Sequence, residues 1–164
     1  PRKTNRSGGG TPATRVLERL GIDARLHSYA FDPGDLGIGE QAAMALGIEP
    51  QRLFKTLMVM IDGQRPAIAL TPVAAETRLK TLAAALDGKR AAMAAPAEAE
   101  RLSGYVKGGI SPFGQRQKLD VVIDRSARSH DTIFVNGGRR GLQIELAPDD
   151  LIAALNASLA DLVR

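Results

Sequence analysis

Cysteine is absent from the 164-residue chain, so disulfides, thiolate zinc sites and a cysteine nucleophile are excluded. Tryptophan is also absent and aromatic residues make up 4% of the sequence, which argues against a base-stacking sheet of the RNA-recognition type. His27 and His130 are far apart in sequence, which argues against a histidine-rich metal site. We also expect no cofactor. No apolar run approaches the ~18 residues that span a bilayer, and no signal sequence is recognisable. We expect a cytoplasmic protein without membrane association.

The length and composition predict one globular domain. Hydrophobic residues make up 44% of the chain and charged residues 24%, which is typical of soluble domains. The segment 1–10 is basic and rich in glycine, and it is predicted to be a flexible tail, whereas residues 11–164 form the single domain. The formal net charge of +4 permits an anionic partner such as a nucleic acid without requiring one.

Helical and strand patterns alternate along the chain without a regular βαβ order. Thr11-Pro12 is typical of a helix start, "LFKTLMVMI" and "PAIALTPV" predict a hairpin around "DGQR", and "GGRRG" predicts a second hairpin turn. The amphipathic pattern of residues 147–163 predicts a closing helix. These features indicate an α/β (α+β) fold with a mixed or mostly antiparallel sheet flanked by helices.

One lysine interrupts an apolar strand. Lys55 lies between Phe54 and Thr56, and lysine is almost never fully buried without a partner. Strand alternation alone could point Lys55 to solvent. Because apolar residues cover both faces of the strand beyond Thr56, the alternative is a functional lysine at the rim of a cavity.

A second unusual segment is "GYVKGGISPFGQRQK", residues 104–118, which surrounds Ser111 with three glycines and a proline. Adjacent Gly108 and Gly109 could expose their N–H groups to a phosphate, a carboxylate or a carbonyl oxygen. A tight structural turn is the alternative interpretation, because the segment matches neither the Walker nor the Rossmann pattern. No histidine adjoins Ser111 in sequence, which argues against a serine nucleophile.

Several segments together resemble the YbaK family of aminoacyl-tRNA deacylases, which is related to the editing domain of bacterial prolyl-tRNA synthetase. They are "TPATRVLERLGI", "HSYAFDP", "LFKTLMV", "ALTPVA", "GYVKGGISPFGQRQKL" and "GGRRGLQIEL", and they span roughly residues 11–163. The Cys-tRNA(Pro) deacylases are the most similar subgroup. The resemblance implies a strongly curved, mostly antiparallel sheet surrounded by helices. It also implies hydrolysis of the ester at the tRNA 3′ end in trans, often beside prolyl-tRNA synthetase and without a metal.

The resemblance also implies roles for individual residues. Lys55 corresponds to the signature lysine, expected to bind the terminal adenosine and its phosphate, and the backbone of Gly108 and Gly109 would face the aminoacyl carbonyl. In the cysteine-specific subgroup the substrate's own thiol attacks the carbonyl, so the enzyme needs no nucleophile. The residues expected to bind the substrate are Tyr29, Phe31, Thr56, Ser111, Asn136 and Gln143.

Two positions depart from the subgroup pattern. Gln143 stands where aspartate is usual, and Asn136 stands where serine is frequent. A neutral glutamine pairs with a substrate ammonium group less well than aspartate does, and Glu145 on the same strand face is a candidate for the missing charge. Editing of another small amino acid, such as alanine, serine or threonine, is therefore an alternative to cysteine.

Two alternatives lie outside catalysis. One is a nucleic-acid-binding protein that would use the basic tail (Arg2, Lys3, Arg6) and Arg139-Arg140. The other is a module that recognises a free amino acid or uncharged tRNA without turnover. Both predict binding without hydrolysis.

Overall fold

A computed structural model describes residues 10–32 and 37–164. The predicted tail, apart from Gly10, lies outside the described residues. The α-helices are α1 (Pro12–Leu20), α2 (Ile38–Leu46), α3 (Leu79–Ala85), α4 (Pro96–Ser103) and α5 (Pro148–Leu155). The strands are β1 (Ala24–Ser28), β2 (Phe54–Ile61), β3 (Arg65–Pro72), β4 (Ala91–Met93), β5 (Asp120–Asp124), β6 (Ile133–Asn136), β7 (Leu142–Leu146) and β8 (Ser158–Ala160).

The strands form two sheets rather than one curved sheet. The first has the order β1-β7-β6 and is antiparallel throughout. The second has the order β4-β2-β3-β5-β8, in which β5 pairs in parallel with both β3 and β8. An isolated bridge between Leu53 and Phe134 joins the two sheets. The predicted mixed and mostly antiparallel α/β architecture is confirmed.

Local sequence signals explain where the first helix begins and ends. The hydroxyl of Thr11 accepts a hydrogen bond from Thr14 N–H at 3.1 Å, and Thr14 Oγ1 accepts one from Thr11 N–H at 3.0 Å. Pro12 occupies the first turn, and Gly21 ends the helix with a φ of 64°. The Thr11 hydroxyl also donates to Gly137 O at 2.6 Å, which fixes α1 against the loop after β6.

The predicted closing helix is shorter than its amphipathic pattern. Helix α5 ends at Asn156, which has a φ of 50°, and the chain then adds β8 to the edge of the second sheet. Apolar residues continue beyond the helix because Leu159 packs on the main core and Leu162 is fully buried. Within the described residues, no helix has the length and apolar character needed to cross a membrane.

The main hydrophobic core lies between the first sheet, the second sheet and helices α1, α4 and α5. Its largest side chains include Phe54, Phe113, Ile123 and Ile144. A smaller cluster packs α2 against Leu53 and Phe134, at the place where the two sheets meet. This junction brings β2, β6 and β7 close enough to share the wall of a cavity.

Candidate active site

A small cavity lies between the two sheets. Its volume is about 150 Å³. Polar residues from four segments line it: Lys55 and Thr56 on β2, Asn136 on β6, Gln143 on β7, and Gly108 in the glycine loop. Its apolar wall is formed by Ile38, Gly39, Leu53, Phe54, Val73 and Ile110. Five of the nine predicted site residues are therefore brought together in one cavity.

Lys55 is half-buried in the cavity wall. Its ammonium group donates a hydrogen bond to Ala75 O at 3.2 Å, and no described carboxylate forms an ion pair with it. Burial lowers the pKa of Lys55 because desolvation disfavours the charged form. A cation held in this way can stabilise negative charge that a ligand brings or develops in the cavity.

Two oxygen atoms in the same cavity wall lack hydrogen-bond partners among the described residues. They are Thr56 Oγ1 and Gln143 Oε1, and both atoms are buried. Gln143 as a whole is only 4% exposed. Since almost all buried polar atoms in proteins are paired, two unpaired oxygens on residues that line one cavity indicate a place for a hydrogen-bonding ligand.

Asn136 differs from these two residues because its amide is fully engaged by the protein. Its Nδ2 donates to Gly108 O at 3.1 Å and to Arg139 O at 3.3 Å, and its Oδ1 accepts from Gly138 N–H at 2.7 Å. Asn136 thus connects the glycine loop to the turn between β6 and β7, and its observed contacts are structural.

The glycine loop forms a tight turn over residues 106–109. Gly109 donates its N–H to Val106 O at 2.8 Å, and Gly108 has a φ of 84°, which favours glycine. A Cβ on Gly109 would lie 2.8 Å from Arg139 Cα, so the missing side chain allows the two backbones to touch. The Gly109 N–H is engaged within the turn, whereas the Gly108 N–H has no acceptor among the described residues. The close approach at Gly109 is therefore made by the protein's own backbone.

The other predicted site residues lie outside the cavity lining. Ser111 is fully buried, and its hydroxyl accepts a hydrogen bond from Phe113 N–H, so it has the environment of a structural residue. Tyr29 packs against the cluster at the sheet junction, and its hydroxyl has no partner among the described residues. Phe31 lies beneath the guanidinium of Arg140, with 5.4 Å from its ring centre to Cζ.

Glu145 is occupied away from the cavity. Its carboxylate contacts His27 at 2.9 Å, Thr132 at 2.6 Å and Arg52 at 3.5 Å. Burial alone would raise the pKa of Glu145, but the hydrogen bonds from Thr132 and His27 and the charge of Arg52 together hold the pKa below its usual value. The hypothesis that Glu145 supplies charge to the substrate does not agree with these contacts. Among residues 10–32 and 37–164, no group of acidic and histidine side chains could hold a metal ion.

Sequence reasoning missed the apolar wall of the cavity and the position of Arg140 beside that wall. Gly39 carries one local signal, because glycine is unusual inside a helix. Here a Cβ on Gly39 would lie 2.6 Å from Val73 Cγ1, so the glycine allows α2 to approach the end of β3. The sequence marks Arg140 only as part of the basic pair Arg139-Arg140, and its place beside the cavity depends on contacts between distant segments.

Comparison with known proteins identifies the family of the chain. The family model for the aminoacyl-tRNA editing domain matches residues 37–154, most of the chain. The chain belongs to this family. EbsC of Enterococcus faecalis, named as a candidate Cys-tRNA(Pro)/Cys-tRNA(Cys) deacylase, is 33% identical over 152 residues, covering 93% of this chain and 92% of EbsC.

Solved structures share the fold. The crystal structure of the hypothetical protein APE2540 superposes with a TM-score of 0.83 at 25% identity, covering 93% of this chain and 99% of that one. A candidate trans-editing enzyme for prolyl-tRNA synthetase superposes with a TM-score of 0.81 at 22% identity, covering 93% and 95%. The predicted family, the fold and the assignment to aminoacyl-tRNA editing are confirmed, whereas the roles of individual site residues stay predictions.

Proposed function

We propose that this protein hydrolyses the ester bond between a small amino acid and the 3′ end of a mischarged tRNA, and that the cavity between the two sheets is the site. The cavity combines a half-buried cation without a described counter-ion, Lys55, with two unpartnered oxygens, on Thr56 and Gln143. Membership of the aminoacyl-tRNA editing domain family supports an aminoacyl-tRNA as the ligand.

The size of the cavity favours a small amino acid. A volume of about 150 Å³ is close to the space that accommodates one benzene molecule. Cysteine, alanine and serine side chains fit such a space, whereas bulky aromatic ones do not. The name of EbsC supports cysteine on tRNA(Pro) as the first candidate. Association with prolyl-tRNA synthetase is part of the proposal and can be tested by co-purification.

Each polar group in the cavity has a proposed role. The Lys55 ammonium and the Gly108 N–H stabilise negative charge as it develops on the carbonyl oxygen. Thr56 Oγ1 and Gln143 Oε1 accept hydrogen bonds from the α-ammonium group of the amino acid. Because Gln143 is neutral, recognition of the ammonium group depends more on the geometry of the hydrogen bond than on attraction between charges.

The protein offers no activated nucleophile in the cavity, and the substrate supplies one. For a cysteinyl ester, the thiol sulfur attacks its own carbonyl carbon and the bond from that carbon to the ribose oxygen breaks. The amino acid leaves as a thiolactone, which water then opens to free cysteine. The proton lost by the thiol is gained by the ribose oxygen, and the tRNA leaves. The contribution of the protein is to orient the thiol and to stabilise the oxyanion. An amino acid without a thiol would require a bound water as the nucleophile.

The test is a deacylation assay with tRNA(Pro) charged with Cys, Ala, Ser, Thr or Pro. Wild-type protein is compared with Lys55→Met, which keeps the length of the side chain but removes the charge. Lys80→Ala is the matched control, because Lys80 is exposed on α3 and absent from the cavity lining. We expect one or two small amino acids to be removed, and we expect Lys55→Met to lower kcat about 100-fold.

Two outcomes would contradict the proposal. If no charged tRNA is hydrolysed at high enzyme concentration, a binding module for nucleic acid or free amino acid becomes the better account. If Lys55→Met is folded and as active as the Lys80→Ala control, the reaction does not use this cavity. Thermal unfolding of both variants identifies loss of the fold as a separate cause.

A further inference from the structure

A guanidinium group that the fold holds in place lies beside the cavity wall. Arg140 donates from Nε to Lys107 O at 2.8 Å, and its Cζ lies 5.4 Å from the centre of the Phe31 ring. A Cβ on Gly108 would lie 3.2 Å from this Nε, and Gly108 itself lines the cavity. Arg140 is therefore immediately next to the cavity wall.

The two turns that carry these groups are fixed to each other. The amide of Asn136 donates to Gly108 O in one turn and to Arg139 O in the other. The backbone of Gly109 also packs directly against the backbone of Arg139. The arginine is thus positioned before any ligand arrives, which lowers the entropy lost on binding.

The charge of Arg140 is available to a ligand. Arg140 is exposed, and no carboxylate among the described residues forms an ion pair with it. Glu100 reaches the same turn, but there its carboxylate accepts the N–H of Lys107 at 2.9 Å. The ammonium group of Lys107 is on an exposed side chain and adds positive charge to this rim.

We propose that Arg140 binds a phosphodiester group of the tRNA 3′ end just outside the cavity, with Phe31 supporting its guanidinium plane. This inference rests on the proposed function. With Nε engaged by the backbone, the two terminal nitrogens remain to form a fork that matches a phosphate. Lys55 lines the cavity itself, whereas Arg140 does not, so we assign Lys55 to the aminoacyl group and Arg140 to the phosphate.

The experiment compares two substrates that differ in their phosphates. One is aminoacylated tRNA and the other is 3′-aminoacyl-adenosine, which carries no phosphate. Arg140→Gln is expected to lower the ratio of kcat/KM for tRNA to kcat/KM for aminoacyl-adenosine about tenfold. Arg125→Gln, which removes an exposed arginine of an ion pair with Asp161, is the matched control and keeps the wild-type ratio.

Salt dependence and direct binding give independent readouts. A lost phosphate contact reduces the slope of log(kcat/KM) against log[salt] by about 0.7. Arg140→Gln should also weaken binding of an uncharged CCA-ended oligonucleotide, measured by fluorescence anisotropy. Arg140→Lys keeps the positive charge but lacks the two terminal nitrogens of the guanidinium, so its ratio of kcat/KM values should lie between those of wild type and Arg140→Gln. This variant also provides the test if Arg140→Gln does not fold.

The outcomes separate this inference from the proposed function. If Arg140→Gln lowers the rates on both substrates equally, or on neither, the phosphate contact is refuted. If wild-type protein hydrolyses neither substrate, the deacylase proposal fails, and the oligonucleotide affinity alone decides about Arg140. Equal oligonucleotide affinity for wild type and Arg140→Gln would overturn the inference in every case.

Discussion

Replacing Thr56 by valine tests whether the Thr56 hydroxyl in the cavity wall lowers the free energy of unfolding of the protein. The buried Oγ1 of Thr56 has no hydrogen-bond partner among the described residues. On the neighbouring strand β3, Oγ1 of Thr71 lies 3.1 Å from Thr77 Oγ1, so its hydroxyl is paired. Valine has the same branched shape and a similar preference for strands. The two substitutions therefore differ mainly in whether a hydrogen bond is lost.

The expected effects have opposite signs. An unsatisfied buried hydroxyl costs about 1–3 kcal/mol, whereas a satisfied hydrogen bond contributes roughly 0.5–1.5 kcal/mol. Thr56→Val should therefore raise the free energy of unfolding by about 1 kcal/mol. Thr71→Val should lower it by about 1 kcal/mol and leave Thr77 Oγ1 unpaired. For a chain of this size, each change corresponds to a shift in Tm of about 2–4 °C.

Urea unfolding followed by far-ultraviolet circular dichroism measures both free energies, and equal m-values show that the two variants unfold from comparable states. Deacylation is measured on the same preparations. Thr56→Val should be more stable and less active than wild type, while Thr71→Val should be less stable but active. If Thr56→Val destabilises the protein as much as Thr71→Val, the Thr56 hydroxyl has a partner and the reasoning is refuted.

Two further predictions concern the glycine loop and the sheet junction. Gly109→Ala should lower the free energy of unfolding by about 1–3 kcal/mol, because its Cβ would meet Arg139 Cα at 2.8 Å. Gly37→Ala, whose Cβ would make only ordinary contacts, is the control and should change it by less than about 0.5 kcal/mol in urea titrations. Because the pKa of Glu145 is lower in the folded protein than its usual value, the ionised carboxylate stabilises the fold above about pH 4.5. This stability is lost as the pH falls through the pKa of Glu145 in the folded state. The free energy of unfolding, measured as a function of pH, should lose this contribution in Glu145→Gln. The prediction is contradicted if the pH profile of Glu145→Gln is the same as that of the wild type.

Local signals predicted most of the helices and strands. The capping residues of α1 and the apolar runs around "DGQR" act within a few residues, so the sequence alone identifies them. The end of α5 was mispredicted because buried residues of a strand, such as Leu159 and Leu162, continued the helical apolar pattern. The division into two sheets depends on the Leu53–Phe134 bridge, which joins segments 81 positions apart in the chain.

The candidate site was predictable where a residue is unusual for its own segment. Lys55 is a charge inside an apolar strand, and the family motif drew attention to Gln143. Arg140 was marked only as part of a basic pair, and its place beside the cavity could not be predicted because its contact with Lys107 spans 33 residues. The glycine pair was predicted to let a ligand carbonyl approach the main chain, and this role stays a prediction. Which group approaches Gly109, the backbone of Arg139, depends on the three-dimensional fold.

The cavity wall is divided between residues that hold the fold and residues that do not. Asn136 ties two turns together, so a change there loosens the rim. Thr56 and Gln143 offer oxygen atoms to which the described part of the protein makes no hydrogen bond. If the proposed function is correct, substitutions at these two positions alter which amino acid is accepted without removing a hydrogen bond of these oxygens within the fold. The amino-acid preference of the proposed editing site would consequently be free to diverge during evolution, and the same positions are the starting points for redesigning it.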